Sequence, residues 1–300
     1  MIYFIKNSYG PGCFKDKERM RPNMELSFSP ADIAKRYSDI GAGKATRPTS
    51  QLIVLGVLAG ILIALGGAST NTAVYGISDP WVIKTICGLL FPFGLGMVVI
   101  MGAELFTGNC LIGISLLDKK CTVLQMLRSW IIVYLANFAG SLVVAGSCAW
   151  FGQMDLGGGQ LAVYTMKVAA AKCAIPFQNG VVLGFFCNLL VCLGVLMALS
   201  AKDSAGKIIC AYLPVAFFVM CGFEHCVANM YYISAGLMAK TVPAYAQLAS
   251  EMGIDLTALT LPNFLIKNLI PVTIGNILGG LAPAWVMWFI HLKDRKPAGV

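Results

Sequence analysis

Apolar residues run for about twenty positions at a time in this chain, long enough to cross the hydrocarbon layer of a bilayer as helix. The runs are Gln51–Ser69, Trp81–Ala103, Leu124–Phe151, Gly180–Ser200, Ile208–Phe223 and Phe264–Ile290. A soluble helix of this length would show a polar face, and these do not. Composition agrees: of 300 residues, 58% are hydrophobic and only 12% charged, about half the charged share of an ordinary soluble domain. The reading is an all-α membrane protein with six transmembrane helices. Two shorter apolar pieces, Cys110–Leu117 and Val227–Leu237, follow the second and fifth runs. Neither is long enough to cross alone, and both read as second halves of broken helices.

The cations set an orientation. Most of the 22 Lys and Arg residues precede the first span, fall in the second–third and fourth–fifth connections, or follow the last span; Lys84, Lys167, Lys172, Lys240 and Lys267 fall on the other side. The positive-inside rule then places both termini in the cytoplasm of a multi-pass protein of the cell (inner) membrane. The net charge of +8 reports topology rather than nucleic-acid binding. Residues 1–50 are expected to form a cytoplasmic segment, residues 51–291 the transport domain, and residues 292–300 a cytoplasmic tail. No signal peptide is expected, and Met24 is a candidate start. Ser29 followed by Pro30 is a helix start, so a short amphipathic helix is expected over about Pro30–Ile40, a candidate gate because it adjoins the first span. The eleven cysteines lie mostly within the spans, with no Cys-x-x-Cys, and read as buried small apolar residues.

A repeat relates the two halves. Gly102-Ala-Glu104-Leu105-Phe106-Thr107-Gly108-Asn109 and Gly222-Phe-Glu224-His225-Cys226-Val227-Ala228-Asn229 share Gly, Glu and Asn at identical spacing. Gly56, Gly60 and Gly66 align with Gly184, Asn188 and Gly194, and Asn137-x-x-Gly140 aligns with Asn276-x-x-Gly279. Three crossings per half make the repeat inverted, an architecture of channels and transporters. A helix break inside a bilayer frees backbone groups and is tolerated only where protein buries it or water lines it. Glu104 and Glu224, with Asn109 and Asn229, are expected to brace the breaks, the carboxyl groups by accepting hydrogen bonds from the freed backbone N–H groups.

Of two histidines, His291 is expected at an interface and His225 at the second break. An intramembrane ionisable group is a functional candidate, and imidazole exchanges protons near neutrality. Enzymatic motifs are missing: no His-Glu-x-x-His, no Gly-x-Ser-x-Gly and no Walker A sequence occurs. No metal and no cofactor is expected.

The motifs Glu104-Leu-Phe-Thr-Gly-Asn109, Gly222-Phe-Glu-His-Cys-Val-Ala-Asn229 and Asn268-Leu-Ile-Pro-Val-Thr-Ile-Gly-Asn276 resemble those of the formate/nitrite transporter family, over about Ser29 to Lys293. The resemblance implies an aquaporin-like fold with broken second and fifth helices, and a homopentamer in the lipid bilayer with one pore per subunit. It implies that Thr107, Asn188 and His225 face the pore. It implies that Phe91, Leu95, Phe106, Val191 and Phe218 form constrictions on either side of the His chamber, and that Lys172 lies in the outer vestibule. Formate is the first substrate implied, with the histidine protonating the anion in transit. Nitrite, hydrosulfide, acetate and lactate are alternatives of similar size and charge, and an intramembrane enzyme or sensor is a distant one. After Lys172 the chain reads Cys-Ala-Ile-Pro-Phe, where some formate-type members carry a His pair.

Overall fold

The computed structural model describes residues 27–294. The candidate start at Met24 and most of the expected C-terminal tail lie outside the described residues.

Helix α1 spans Pro30–Thr46, with Ser29 as N-cap accepting from the Asp32 N–H. The Ser29 hydroxyl also donates to the Asp32 carboxylate at 2.6 Å, which holds that carboxyl below its usual pKa. The helix runs beyond the expected end at Ile40. Gly41 and Gly43 do not stop it: Gly41 is buried against Ser115 and the backbone of Ile112, so it serves close approach rather than termination. The extra turn carries Lys44 to the first break.

Six helical stretches among the described residues are long and apolar enough to span a membrane, in the order expected. The first is α2 (Thr49–Val74). The second is α3 (Pro80–Leu90) followed by α4 (Phe93–Met101), divided at Pro92, which has no N–H to continue the ladder. It ends at Gly102 in the left-handed conformation, and the short helices α5 (Phe106–Asn109) and α6 (Ile112–Leu117) complete the broken element. The third span is α7 (Val123–Trp150), started by a Thr122/Gln125 capping box. After α8 (Gln160–Cys173) comes the fourth, α9 (Phe177–Ser200). The fifth, α10 (Ser204–Cys221), also ends at a left-handed glycine, Gly222, and α11 (Cys226–Lys240) is its second half. After α12 (Pro243–Glu251), a π-helical turn over Asn263–Leu269 leads into the sixth, α13 (Ile270–His291), where His291 is the last residue.

Two of these helices, α8 and α12, are not expected from the apolar runs. In α8 the buried residues Leu161, Ala162, Thr165, Met166, Ala169, Ala170 and Cys173, with Val163 beside them, recur at helical spacing, but Lys167, Lys172 and the alanines keep the segment from reading as a span. Its start is set by Gly157, Gly158 and Gly159, all with positive φ.

The spans pack through glycine. Gly60 and Gly140 press on the backbones of Asn137 and Val57, joining α2 to α7. Gly275 and Gly279 press on those of Val181 and Phe185, joining α13 to α9. In lipid, where helix association draws on packing rather than on a hydrophobic driving force, such approach is what small residues provide.

Candidate functional site

The backbones of the two breaks are held alike. After Gly102 (φ 63°) and Gly222 (φ 71°), the Glu104 N–H donates to the Leu55 carbonyl at 3.1 Å and the Glu224 N–H to that of Leu183 at 3.3 Å. The side chain of Asn137 on α7 accepts from the Phe106 N–H (2.9 Å) and donates to the carbonyls of Gly56 (2.7 Å) and Glu104 (2.9 Å). That of Asn276 on α13 accepts from the Cys226 N–H (2.8 Å) and donates to the carbonyls of Gly184 (2.8 Å) and Glu224 (3.0 Å). One amide thus satisfies two freed backbone groups of each break, as burial in a membrane requires, and ties them to a carbonyl of the neighbouring span.

This corrects the expectation for the two acids. Their carboxylates do not receive the freed backbone N–H groups; they hold cations. The Glu104 Oε2 accepts from Lys44 Nζ (2.8 Å) and Asn109 Nδ2 (2.7 Å), while Oε1 lies 3.1 Å from the Arg47 guanidinium. Both Glu224 oxygens accept from Lys172 Nζ at 2.9 Å, and Asn229 Nδ2 donates to Oε2 at 2.7 Å. Asn268 extends the second network, accepting from Asn229 and donating to the Lys172 carbonyl. Asn109 and Asn229 each brace the glutamate five residues before them. Buried charges without such partners would cost several kcal/mol each.

A side-chain bond joins the two breaks. Thr107 Oγ1 and His225 Nε2 are 2.9 Å apart, and both residues are buried. The other ring nitrogen, Nδ1, accepts from the Ala228 N–H at 3.0 Å, so His225 is the N-cap of α11. A nitrogen that accepts carries no proton. The neutral ring therefore bears its proton on Nε2 and donates it to Thr107.

Two cavities flank this contact. One, of about 340 Å³, lies under α1, with Lys44, Arg47, Glu104, Leu95, Val195 and Lys207 on its walls. The other, of about 250 Å³, lies on the opposite side, with Lys84, Lys172, Phe91, Phe218, His225 and Tyr232 on its walls. Phe218 stacks on the His225 ring at 5.9 Å and meets Phe91 edge-on at 6.0 Å. Lys172 does border its cavity, but with its ammonium held by Glu224.

Three residues depart from the roles the motifs implied. The Phe106 ring turns away from both cavities and packs edge-on against Trp130 and Tyr134. Its backbone faces the break while its side chain faces α7. Val191 is buried and borders neither cavity. Asn188 is buried, and its amide donates to the Thr107 and Asn276 carbonyls (3.1 and 2.6 Å), so it holds the loop rather than presenting free donors. Conversely, Asn137 and Asn276 are central although the repeat gave them no chemistry. Lys44 and Arg47 are partners of Glu104 that their position in a basic segment concealed.

Residues 31–290 match the family model for formate/nitrite transporters. The chain belongs to the formate/nitrite transporter family. Among curated relatives of this family, the formate channel FocA of Haemophilus influenzae is 35% identical over 262 residues, spanning 85% of this chain and 91% of that one. A probable formate transporter of Methanothermobacter thermautotrophicus is 34% identical, spanning 90% of this chain and all of the other. Among solved structures, a pentameric formate channel with formate bound superposes with a TM-score of 0.73 at 34% identity, covering 82% of this chain and 98% of that one. An FNT family ion channel gives 0.71 at 27% identity, covering 87% and 97%. The chain is thus an integral, multi-pass channel protein of a formate/nitrite transporter family that is not enzymatic.

Proposed function

We propose that the chain conducts small monovalent anions of weak acids, formate first, through a pore in each subunit of a homopentamer, with His225 as the group that protonates the anion. The observation that carries this is the Thr107–His225 contact between two charged vestibules. Relatives whose names specify formate, and a pentameric neighbour with formate bound, support the substrate and the assembly. Exposed apolar residues on the outer faces, such as Trp81, Leu124 and Phe217, suit lipid and neighbouring subunits.

The chemistry follows from the walls. Phe91, Phe218 and Leu95 offer a bare carboxylate no replacement for its water, so a charged formate is costly there. An imidazolium at His225, formed when Nδ1 takes a proton in place of its bond from the Ala228 N–H, passes that proton on to the carboxylate. An N–H bond breaks and an O–H bond forms, leaving a neutral imidazole and formic acid. The neutral acid crosses the apolar wall and ionises in the far vestibule. Thr107 accepts from the other nitrogen, Nε2, and fixes the ring.

The cation asymmetry supports a cytoplasmic position for the cavity under α1 and for both termini. The three-crossing halves, each with its Gly-Glu-Asn break, then enter from opposite sides as an inverted repeat.

The test is a competition. Liposomes containing the purified protein take up labelled formate, with nitrite, hydrosulfide or acetate as competitor, between about pH 5 and 8, the range over which histidine titrates. Formate uptake rising as pH falls, with formate the strongest competitor, supports the reading. A stronger effect of nitrite or hydrosulfide reassigns the substrate, and no uptake of any of them overturns the transport reading.

A further inference from the structure

In each vestibule, a glutamate already engages the cations of the break. The Lys172 ammonium lies between both oxygens of Glu224 at 2.9 Å, so the pair presents almost no net charge to an approaching anion. Across the molecule, Lys44 and Arg47 are both held by Glu104, two cations on one carboxylate. Each vestibule nevertheless has another lysine on its wall, Lys84 in one and Lys207 in the other. Neither has an acidic partner among the described residues.

Their places correspond. Lys84 lies in the first turns of α3 and Lys207 in the first turn of α10, so each stands near the outer end of a broken helix and borders the vestibule at that end. The Lys84 ammonium reaches the second break: a Cβ on Gly222 would lie 3.0 Å from its Nζ. Across the same cavity stands Tyr164 of α8, whose hydroxyl has no hydrogen-bond partner among the described residues. An uncommitted ammonium and an uncommitted hydroxyl facing one cavity are the donor set for a small carboxylate or oxyanion.

We propose that Lys84 and Lys207 are the anion-capturing cations of the two mouths, with Tyr164 as a second donor beside Lys84. They take a small monovalent anion such as formate from solution, and the glutamate-bound lysines set the shape of the breaks. The assignment rests on the transport reading. It places capture at the mouths, before the anion reaches His225. Because the charge acts over a distance in a low-dielectric funnel, it governs the rate of encounter and is screened by salt.

The test measures initial formate uptake against formate concentration in liposomes containing the full chain, at low and high ionic strength, for wild type, K84M, K207M, the double variant and K84R. Both lysines lack an ion-pair partner among the described residues, so their loss is expected to spare the fold, which gel filtration of each variant verifies. In the double variant at low salt, the half-saturation concentration is expected to rise roughly tenfold, the lower end of what focused fields contribute. Its maximal rate is expected to hold and its salt dependence to flatten. K84M and K207M are expected to fall between, and K84R to match wild type. A double variant whose half-saturation and salt dependence match wild type while flux persists overturns the assignment to these lysines. A wild type that passes no anion overturns the transport reading itself.

Discussion

His225 Nε2 and Thr107 Oγ1 stand 2.9 Å apart, joining the break of one half to the break of the other. The contact is fixed from both ends. His225 is held by the Ala228 N–H at Nδ1. The Thr107 carbonyl receives the Asn188 amide at 3.1 Å and the Cys192 thiol at 3.4 Å. Thr107→Val keeps the shape and removes the acceptor, leaving a buried imidazole N–H without a partner at a cost of about 1–3 kcal/mol. A lowered unfolding temperature and reduced formate flux are expected, with Thr107→Ser close to wild type in both. Wild-type stability and flux in Thr107→Val would show that the bond is incidental.

The Asn137 and Asn276 amides do equal work, so their loss should cost equally. Each replacement by Ala strands one carbonyl and one N–H of the break in the membrane interior, at about 1–3 kcal/mol apiece. Both variants should lose most of their folded yield in detergent. Asn137→Asp is the sharper probe: it keeps the acceptor for Phe106 but loses both donors. Recovery of wild-type yield by the aspartate would mean the two carbonyl bonds contribute little.

The Glu224–Lys172 pair gives a double-mutant prediction. Breaking a buried pair from one side costs about 3–5 kcal/mol because the survivor is left uncompensated. Glu224→Gln and Lys172→Met should each destabilise strongly, and the double variant less than either. Thermal unfolding of the four proteins measures the coupling, and strictly additive shifts would contradict it.

Much of this design is legible in the amino-acid sequence. The apolar runs locate the six spans, and the shared Gly-x-Glu-x-x-x-small-Asn locates both breaks, because a left-handed turn calls for glycine and a charge at membrane depth calls for a partner. Partners far away in sequence are not legible. Nothing near Asn137 shows that its amide serves Phe106 and Glu104, about thirty residues earlier. Nothing near Phe106 shows that its ring turns toward Trp130 and Tyr134, because a side-chain rotamer follows from the packing around it. The helix α8 escapes an apolar-run criterion because its buried face is built of alanine and threonine as much as of larger residues, although the helical spacing of that face is readable.

Glycine contacts separate two kinds of substitution. A Cβ at Gly140 or Gly279 meets the backbone of the facing helix, which cannot move without parting α7 from α2 or α13 from α9. Gly140→Ala and Gly279→Ala should abolish assembly on gel filtration. A Cβ at Gly43, inside α1, meets nothing within 4 Å, so Gly43→Ala should raise stability by about 0.5–1 kcal/mol through helix propensity. A lower melting temperature for Gly43→Ala would contradict this.

Transfer of a proton from His225 to the anion is tested most directly by formate uptake in liposomes containing His225→Asn, followed across pH beside wild type. Asparagine preserves a donor toward Thr107 and an acceptor toward the first turn of α11 but cannot titrate. Wild-type uptake is expected to climb as pH falls from about 8 to about 5. The variant, once gel filtration shows it folded and assembled like wild type, is expected to show uptake that no longer follows that curve. A variant with the same pH profile and rate as wild type would contradict a proton-donating His225.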